Sequence, residues 1–120
     1  MQIKSIDPIS LKKRLDDGSA VLIDIREPHE HAREHIEGAR LVPLSQFNAE
    51  DFGNVRDKTA VFHCHSGGRT SANARLLMST DFRDTYHLGG GIVAWKAAGL
   101  PTRSERNEAG TVQRKLFGLF

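Results

Sequence analysis

Short continuous apolar runs alternate along this chain with segments whose apolar residues recur every three or four places, which is strand-like and helix-like patterning in turn. The run AVLID at 20–24 ends in a carboxylate and reads as a strand covered on both faces. ARLVPL at 39–44, TAVFHC at 59–64 and TYHL at 85–88 read as three more strands. Between and before them lie helical segments. Asp7 is placed to cap a helix with Pro8 at its first position, Leu11 and Leu15 share its face, and Gly18 closes it. Residues 28–35 read as helix, LSQFNAEDF at 44–52 as a brief helix, and TSANARLLM at 70–78 as a helix facing inward through Ala74, Leu77 and Met78. A last helix, IVAWKAAGLP at 92–101, has Gly99 beyond its end and Pro101 as its stop. Alternating strand and helix predicts an α/β fold, a small mostly parallel sheet with helices on both faces. Its ligand site should lie at the carboxyl ends of the strands, where both Asp24 and Cys64 fall.

At 120 residues the chain has room for one domain and one core, and it shows no internal repeat or low-complexity segment. A composition 38% hydrophobic and 27% charged is that of a soluble globular protein, and no run approaches the ~20 apolar residues of a membrane-spanning helix. MQIKSIDPIS lacks the apolar stretch of a secretory signal, so a cytoplasmic chain is the simpler expectation. The formal charge of +2 concentrates after residue 102, where Arg103, Arg106, Arg114 and Lys115 stand against Glu105 and Glu108. This is not the charge distribution of a nucleic-acid binder.

The single cysteine excludes an internal disulfide, leaving Cys64 as a buried apolar residue or a free thiol kept for chemistry. Its neighbours decide between the two. HCHSGGR at 63–69 puts the cysteine where a strand stops, followed by a glycine-containing turn and a helix start. The first N–H groups of such a helix have no partners inside it, so they form a cradle for an anion and lower the pKa of a thiol held there. Gly67 and Gly68 let successive N–H groups converge on the sulfur, Ser66 offers a hydroxyl, and Arg69 offers a planar cationic fork suited to an oxyanion. His65 is placed to supply charge or move a proton near neutral pH. His63, adjacent to Cys64 on the strand, should point away from its side chain and serve packing or hydrogen bonding.

At this point the chain resembles the rhodanese family of sulfurtransferases, through LIDIREPHEHAREHIEGA at 22–39, CHSGGRT at 64–70 and LGGGIVAWKAAGLP at 88–101. The resemblance implies a rhodanese-like domain over 1–102, followed by a basic amphipathic tail at 103–120. It implies that Cys64 takes the outer sulfur of thiosulfate or a similar donor as a persulfide and passes it to a thiophilic acceptor. His65, Ser66, Gly67, Gly68 and Arg69 match the family's sulfur-binding loop, Asp24 and Arg26 match supporting positions, and His35 and Trp95 match its framework. Phosphatases and arsenate reductases related to the family place five residues between cysteine and arginine, whereas four stand here, a tighter loop that favours one sulfur atom over a tetrahedral oxyanion. No metal or organic cofactor is implied. With no second cysteine, the acceptor must be an external thiol or protein. The alternatives are a non-catalytic persulfide carrier or oxidant sensor and, less favoured, a phosphatase or arsenate reductase on the same scaffold.

Three further motifs are weighed against plainer readings. HAREH at 31–35 matches a H-x-x-E-H zinc pattern, but a catalytic zinc needs a third protein ligand and the helix ends too soon, so the match reads as accidental. His29 and His31 read as solvated surface residues. GGGIVAWK lacks the spacing of a nucleotide loop, and its glycines read as a tight strand-to-helix turn near the active site, with Trp95 in the core. In the tail, Val112, Leu116, Leu119 and Phe120 share a helical face, which would pack on the domain or contact a membrane surface.

Overall fold

The computed structural model describes residues 2–105. Five parallel strands form one sheet: β1 (Lys4–Ile6), β2 (Ala20–Asp24), β3 (Arg40–Leu41), β4 (Thr59–His63) and β5 (Asp84–Leu88), in spatial order β1-β5-β4-β2-β3. The expected sheet had four strands. Its missing member, β1, holds only three residues and a single buried side chain, too little apolar pattern to read. It exists because Lys4, Ser5 and Ile6 find register with Tyr86, His87 and Leu88. At the opposite edge, the strand expected over 39–44 shortens to Arg40–Leu41, and the chain turns after Pro43 into a 3-10 turn at Leu44–Gln46.

Both faces of the sheet are covered, as the apolar runs require. One face meets helix α1 (Pro8–Asp16) through Leu11 and α5 (Gly91–Ala97) through Ile92 and Trp95, against Leu22, Val61 and Leu88 from the strands. The other meets Phe52, Phe82 and the helices α3 (Gly68–Ala72) and α4 (Ala74–Met78). On that side the buried ring of Phe62 lies 6.3 Å from Phe52, 6.4 Å from Phe82 and 6.2 Å from Phe47 between centroids. Full burial of such a side chain stabilises the fold by about 1.5–3 kcal/mol. The Trp95 indole, also buried, donates to the Pro101 carbonyl at 2.8 Å and pins the chain leaving α5.

Three helix expectations are corrected. The segment at 70–78 begins earlier, at Gly68, and breaks at Asn73, whose amide donates back to the Arg69 carbonyl at 2.8 Å in competition with the helical ladder. Ala74 and Leu77 are buried, whereas Met78 is exposed. The helix expected over 28–35 is α2 (Pro28–Arg33) and stops because His35 leaves it to exchange two 2.8 Å backbone hydrogen bonds with Arg103. The brief helix expected over 44–52 is 3-10 in character and continues in a second piece at Ala49–Val55. Arg103 thus joins the domain, also pairing with Glu37 at 3.0 Å, while the amphipathic face expected between Val112 and Phe120 lies outside the described residues. Among the described residues no helix is long and apolar enough to cross a membrane.

Candidate active site

Strands β2 and β4 run side by side with Asp24 opposite His63, so their carboxyl ends bring Asp24 and Cys64 together as their sequence positions imply. Directly after β4 the chain turns through His65, Ser66 and Gly67 into α3. Gly67 has φ +101°, a conformation glycine adopts without penalty, and its N–H consequently points back at the Cys64 sulfur at 3.2 Å. Cys64 is a free thiol only 1% exposed. Burial pushes that thiol up, but the N–H groups of Thr70, Gly67 and Arg69 and the Thr70 hydroxyl outweigh it, and the net displacement is downward. The loop therefore favours thiolate.

The hydroxyl beside the sulfur belongs to Thr70, not to Ser66. Thr70 is fully buried, with Oγ1 3.9 Å from Cys64 Sγ, 3.1 Å from the Gly67 carbonyl and 2.6 Å from His87 Nδ1 on β5. The hydroxyl donates to the Gly67 carbonyl and contacts both the thiol and the imidazole, so His87 enters the thiol's surroundings through Thr70. Burial pushes the His87 imidazole down, which favours its neutral form. His65 and Ser66 stand exposed on the outer side of the loop.

Arg69 closes the loop, yet its fork is occupied. Nη1 donates to Glu30 Oε1 at 2.8 Å and Nη2 to Oε2 at 2.9 Å. This bidentate pair, with Arg69 foremost among its causes, holds the Glu30 carboxyl down at about 2. The other guanidinium at this end of the sheet is also paired. Arg26 gives Asp24 three hydrogen bonds, from its backbone N–H and Nε at 3.0 Å and from Nη2 at 2.8 Å, and a fourth to the Glu34 carbonyl at 2.7 Å. Burial pushes the Asp24 carboxyl up, but Arg26 and its neighbours bring it below its ordinary value. The pair ties the end of β2 to the end of α2 and does not reach the sulfur, a supporting position. His63 also belongs to this buried layer. Its Nδ1 lies 3.1 Å from the Cys64 carbonyl and its Nε2 3.7 Å from Asp24 Oδ2, on the side of the strand away from the thiol.

The floor of the loop is the first turn of α5, which opens at Gly91. Ile92 N–H donates to the Cys64 carbonyl at 3.0 Å and Val93 N–H to the His65 carbonyl at 3.1 Å, so the loop backbone is held from below while its own N–H groups face the sulfur. Elsewhere, the His31 and His35 rings stack with centroids 4.1 Å apart, and His35 Nδ1 lies 2.8 Å from the His31 carbonyl. His31 is accordingly half-buried against a neighbour, not a freely solvated side chain. Among the described residues no group of three or more His, Cys, Asp or Glu side chains is arranged to hold a metal ion.

The structure brings Cys64, its loop, Asp24 and Arg26 together at this end of the sheet, and adds Glu30, Thr70 and His87, which the sequence pattern does not point to. Thr70 directly follows the loop in CHSGGRT. Glu30 and His87 come from distant segments and leave no local signal.

Comparisons with known proteins agree with this architecture. The family described as "Rhodanese-like domain" matches residues 7–98. The chain is 35% identical over 112 residues to the "Uncharacterized protein slr1261" of Synechocystis, covering 93% of this chain and 63% of that one, so it spans less than two thirds of that relative's length. It is 33% identical over 98 residues to the thiosulfate sulfurtransferase GlpE of Pseudomonas fluorescens, covering 80% of this chain and 87% of the relative. Among solved structures, a thiosulfate sulfurtransferase from Pseudomonas aeruginosa superposes with a TM-score of 0.75 at 27% identity, over 86% of this chain and 20% of that one. A parallel sheet that carries its thiol in a six-residue loop at the end of a central strand, together with a family match over most of its length, establishes that this chain belongs to the rhodanese-like domain family.

Proposed function

We propose that the protein is a sulfurtransferase that carries sulfane sulfur on Cys64. The observation that carries this reading is the thiol itself: buried, yet pulled towards thiolate by N–H groups aimed at its sulfur. In the first half-reaction the Cys64 thiolate attacks the outer sulfur of a donor. With thiosulfate, the bond between the two donor sulfurs breaks, its electron pair leaves with sulfite, and Cys64 becomes a persulfide anion. In the second, an external thiolate or another thiophile attacks the outer sulfur and releases the Cys64 thiolate.

The Gly67 N–H, 3.2 Å from the sulfur, with those of Arg69 and Thr70 beside it, is placed to stabilise negative charge on the thiolate and on the persulfide. The single cysteine requires that the acceptor come from outside the chain. Similarity to proteins named sulfurtransferases supports the same reading.

The test is intact-protein mass spectrometry after incubation with thiosulfate and, separately, with glutathione persulfide, using Cys64→Ser as control. Gain of one sulfur atom by wild type alone, removed by cyanide as thiocyanate, is the expected result. A serine variant that loads sulfur equally would refute the assignment of Cys64. Hydrolysis of an aryl phosphate without any sulfur gain would move the protein to the phosphatase reading.

A further inference from the structure

The cation that closes the loop is not free to greet an anionic substrate. Arg69 spends both arms of its fork on Glu30, at 2.8 and 2.9 Å. Glu30 is itself tethered, because its Oε1 also accepts the Glu27 N–H at 3.0 Å in the first turn of α2. Arg26 is committed to Asp24. Arg69 nevertheless belongs to the loop itself, two residues after the Gly67 N–H that reaches the Cys64 sulfur. A donor approaching the thiol thus meets a guanidinium already neutralised by a fixed carboxylate.

We propose that Glu30 is a specificity-determining residue that, by occupying Arg69, turns the site away from dianionic sulfonate-ended donors such as thiosulfate and towards monoanionic persulfides. This rests on the sulfur-transfer reading above. The two donors differ in what they ask of Arg69. When the Cys64 thiolate attacks thiosulfate, the S–S bond breaks and a sulfite dianion departs, an oxyanion whose geometry fits the fork that Glu30 fills. When it attacks the outer sulfur of R–S–S⁻ with R a simple alkyl group, the S–S bond breaks and R–S⁻ departs with the electron pair, a group with no oxygen atoms for a guanidinium fork to grip. In both cases Cys64 gains the sulfane sulfur and total charge is conserved. Glu30 consequently penalises the first reaction twice, by withdrawing the fork and by repelling a second negative charge.

The experiment measures kcat/KM for thiosulfate and for ethyl persulfide, a monoanion with no carboxylate, with a common thiol acceptor, in wild type, Glu30→Gln, Glu30→Ala and Glu30→Gln/Arg69→Gln. Glutamine retains an oxygen for the Glu27 N–H, so α2 keeps its cap. Glu30→Gln is expected to raise the thiosulfate-to-persulfide ratio by roughly 3–10-fold, with the gain shrinking as salt is added. Glu30→Ala must move the ratio in the same direction, and in the Arg69→Gln background most of the gain must disappear. An unchanged or lowered ratio in both single variants overturns the role of Glu30 while leaving sulfur transfer by Cys64 intact. If neither donor loads wild type, the sulfur-transfer reading falls and this one falls with it.

Discussion

Gly91 supports the thiol loop from beneath, and replacing it with alanine perturbs fold and chemistry together. The residue sits at φ +61°, in the left-handed region, where an L side chain costs about 1–2 kcal/mol. A Cβ there would collide with the His65 carbonyl oxygen and stand 2.6 Å from that of Cys64, both of them backbone atoms that cannot rotate away like a side chain. Relief requires lifting the loop, at roughly 1–3 kcal/mol for overpacking, and loosening the hydrogen bonds from Ile92 and Val93, each contributing about 0.5–1.5 kcal/mol. The sum is about 3–8 kcal/mol, which lowers Tm by on the order of 10–30 °C in a domain of this size. Gly99 provides the comparison. It too has positive φ, +81°, but a Cβ there meets nothing within 4 Å, so Gly99→Ala bears only the conformational cost. Thermal unfolding of both variants, paired with the rate of sulfur gain by mass spectrometry, separates the two effects. Gly91→Ala should be clearly less stable than Gly99→Ala and should load sulfur slowly even well below its own Tm, because the N–H groups no longer converge on Sγ. A Gly91→Ala protein as stable as Gly99→Ala and loading at the wild-type rate would refute the reading of this turn as the loop's floor.

Two other consequences follow from the buried charges. Because the Cys64 thiol is displaced downward, its alkylation by iodoacetamide should persist below the pH range of an ordinary thiol, and Thr70→Val should move the pH profile of that rate upward. A wild-type midpoint at or above that of free cysteine would contradict the geometry. Asp24→Ala leaves the Arg26 guanidinium, 4% exposed, buried beside no carboxylate, and should cost about 3–5 kcal/mol in denaturant unfolding. Since the folded Asp24 carboxyl lies below its ordinary value, the stability it contributes is complete above the unfolded carboxyl pKa of about 4 and is lost as pH falls through the folded value. The acid limb of wild type should therefore be steeper than that of Asp24→Asn.

The parts of this fold that were legible in the sequence are those whose cause is local. AVLID and TAVFH are continuous apolar runs because β2 and β4 lie in the middle of a sheet covered on both faces, and their ends locate Asp24 and Cys64 without knowledge of the pairing. Strand β1 and the ends of α2 and β3 depend instead on partners elsewhere in the chain: Tyr86 to Leu88 for β1, Arg103 for His35, and the end of β2 for Arg40 and Leu41. No short window contains those partners.

The same division runs through the site and explains why the hydroxyl beside the sulfur comes from Thr70 and not from Ser66. A turn that bends back on its own cysteine presents backbone N–H groups to the sulfur, so side chains at its apex, His65 and Ser66, are carried outward. The first side chain that can return to the sulfur is one turn into the helix, at Thr70, and it is held there by His87 from a neighbouring strand. Arg69 follows the same logic in the opposite sense, projecting from the partly exposed side of α3 to be met by Glu30. Apolar patterning dictates which residues must be buried but not which polar group each will face. In this protein the thiol's reactivity is set by backbone geometry that glycine and strand-end signals reveal, whereas donor choice is set by a carboxylate 39 residues away. Variants of Cys64 and Gly67 should therefore alter whether sulfur is taken up, while variants of Glu30 should alter from whom.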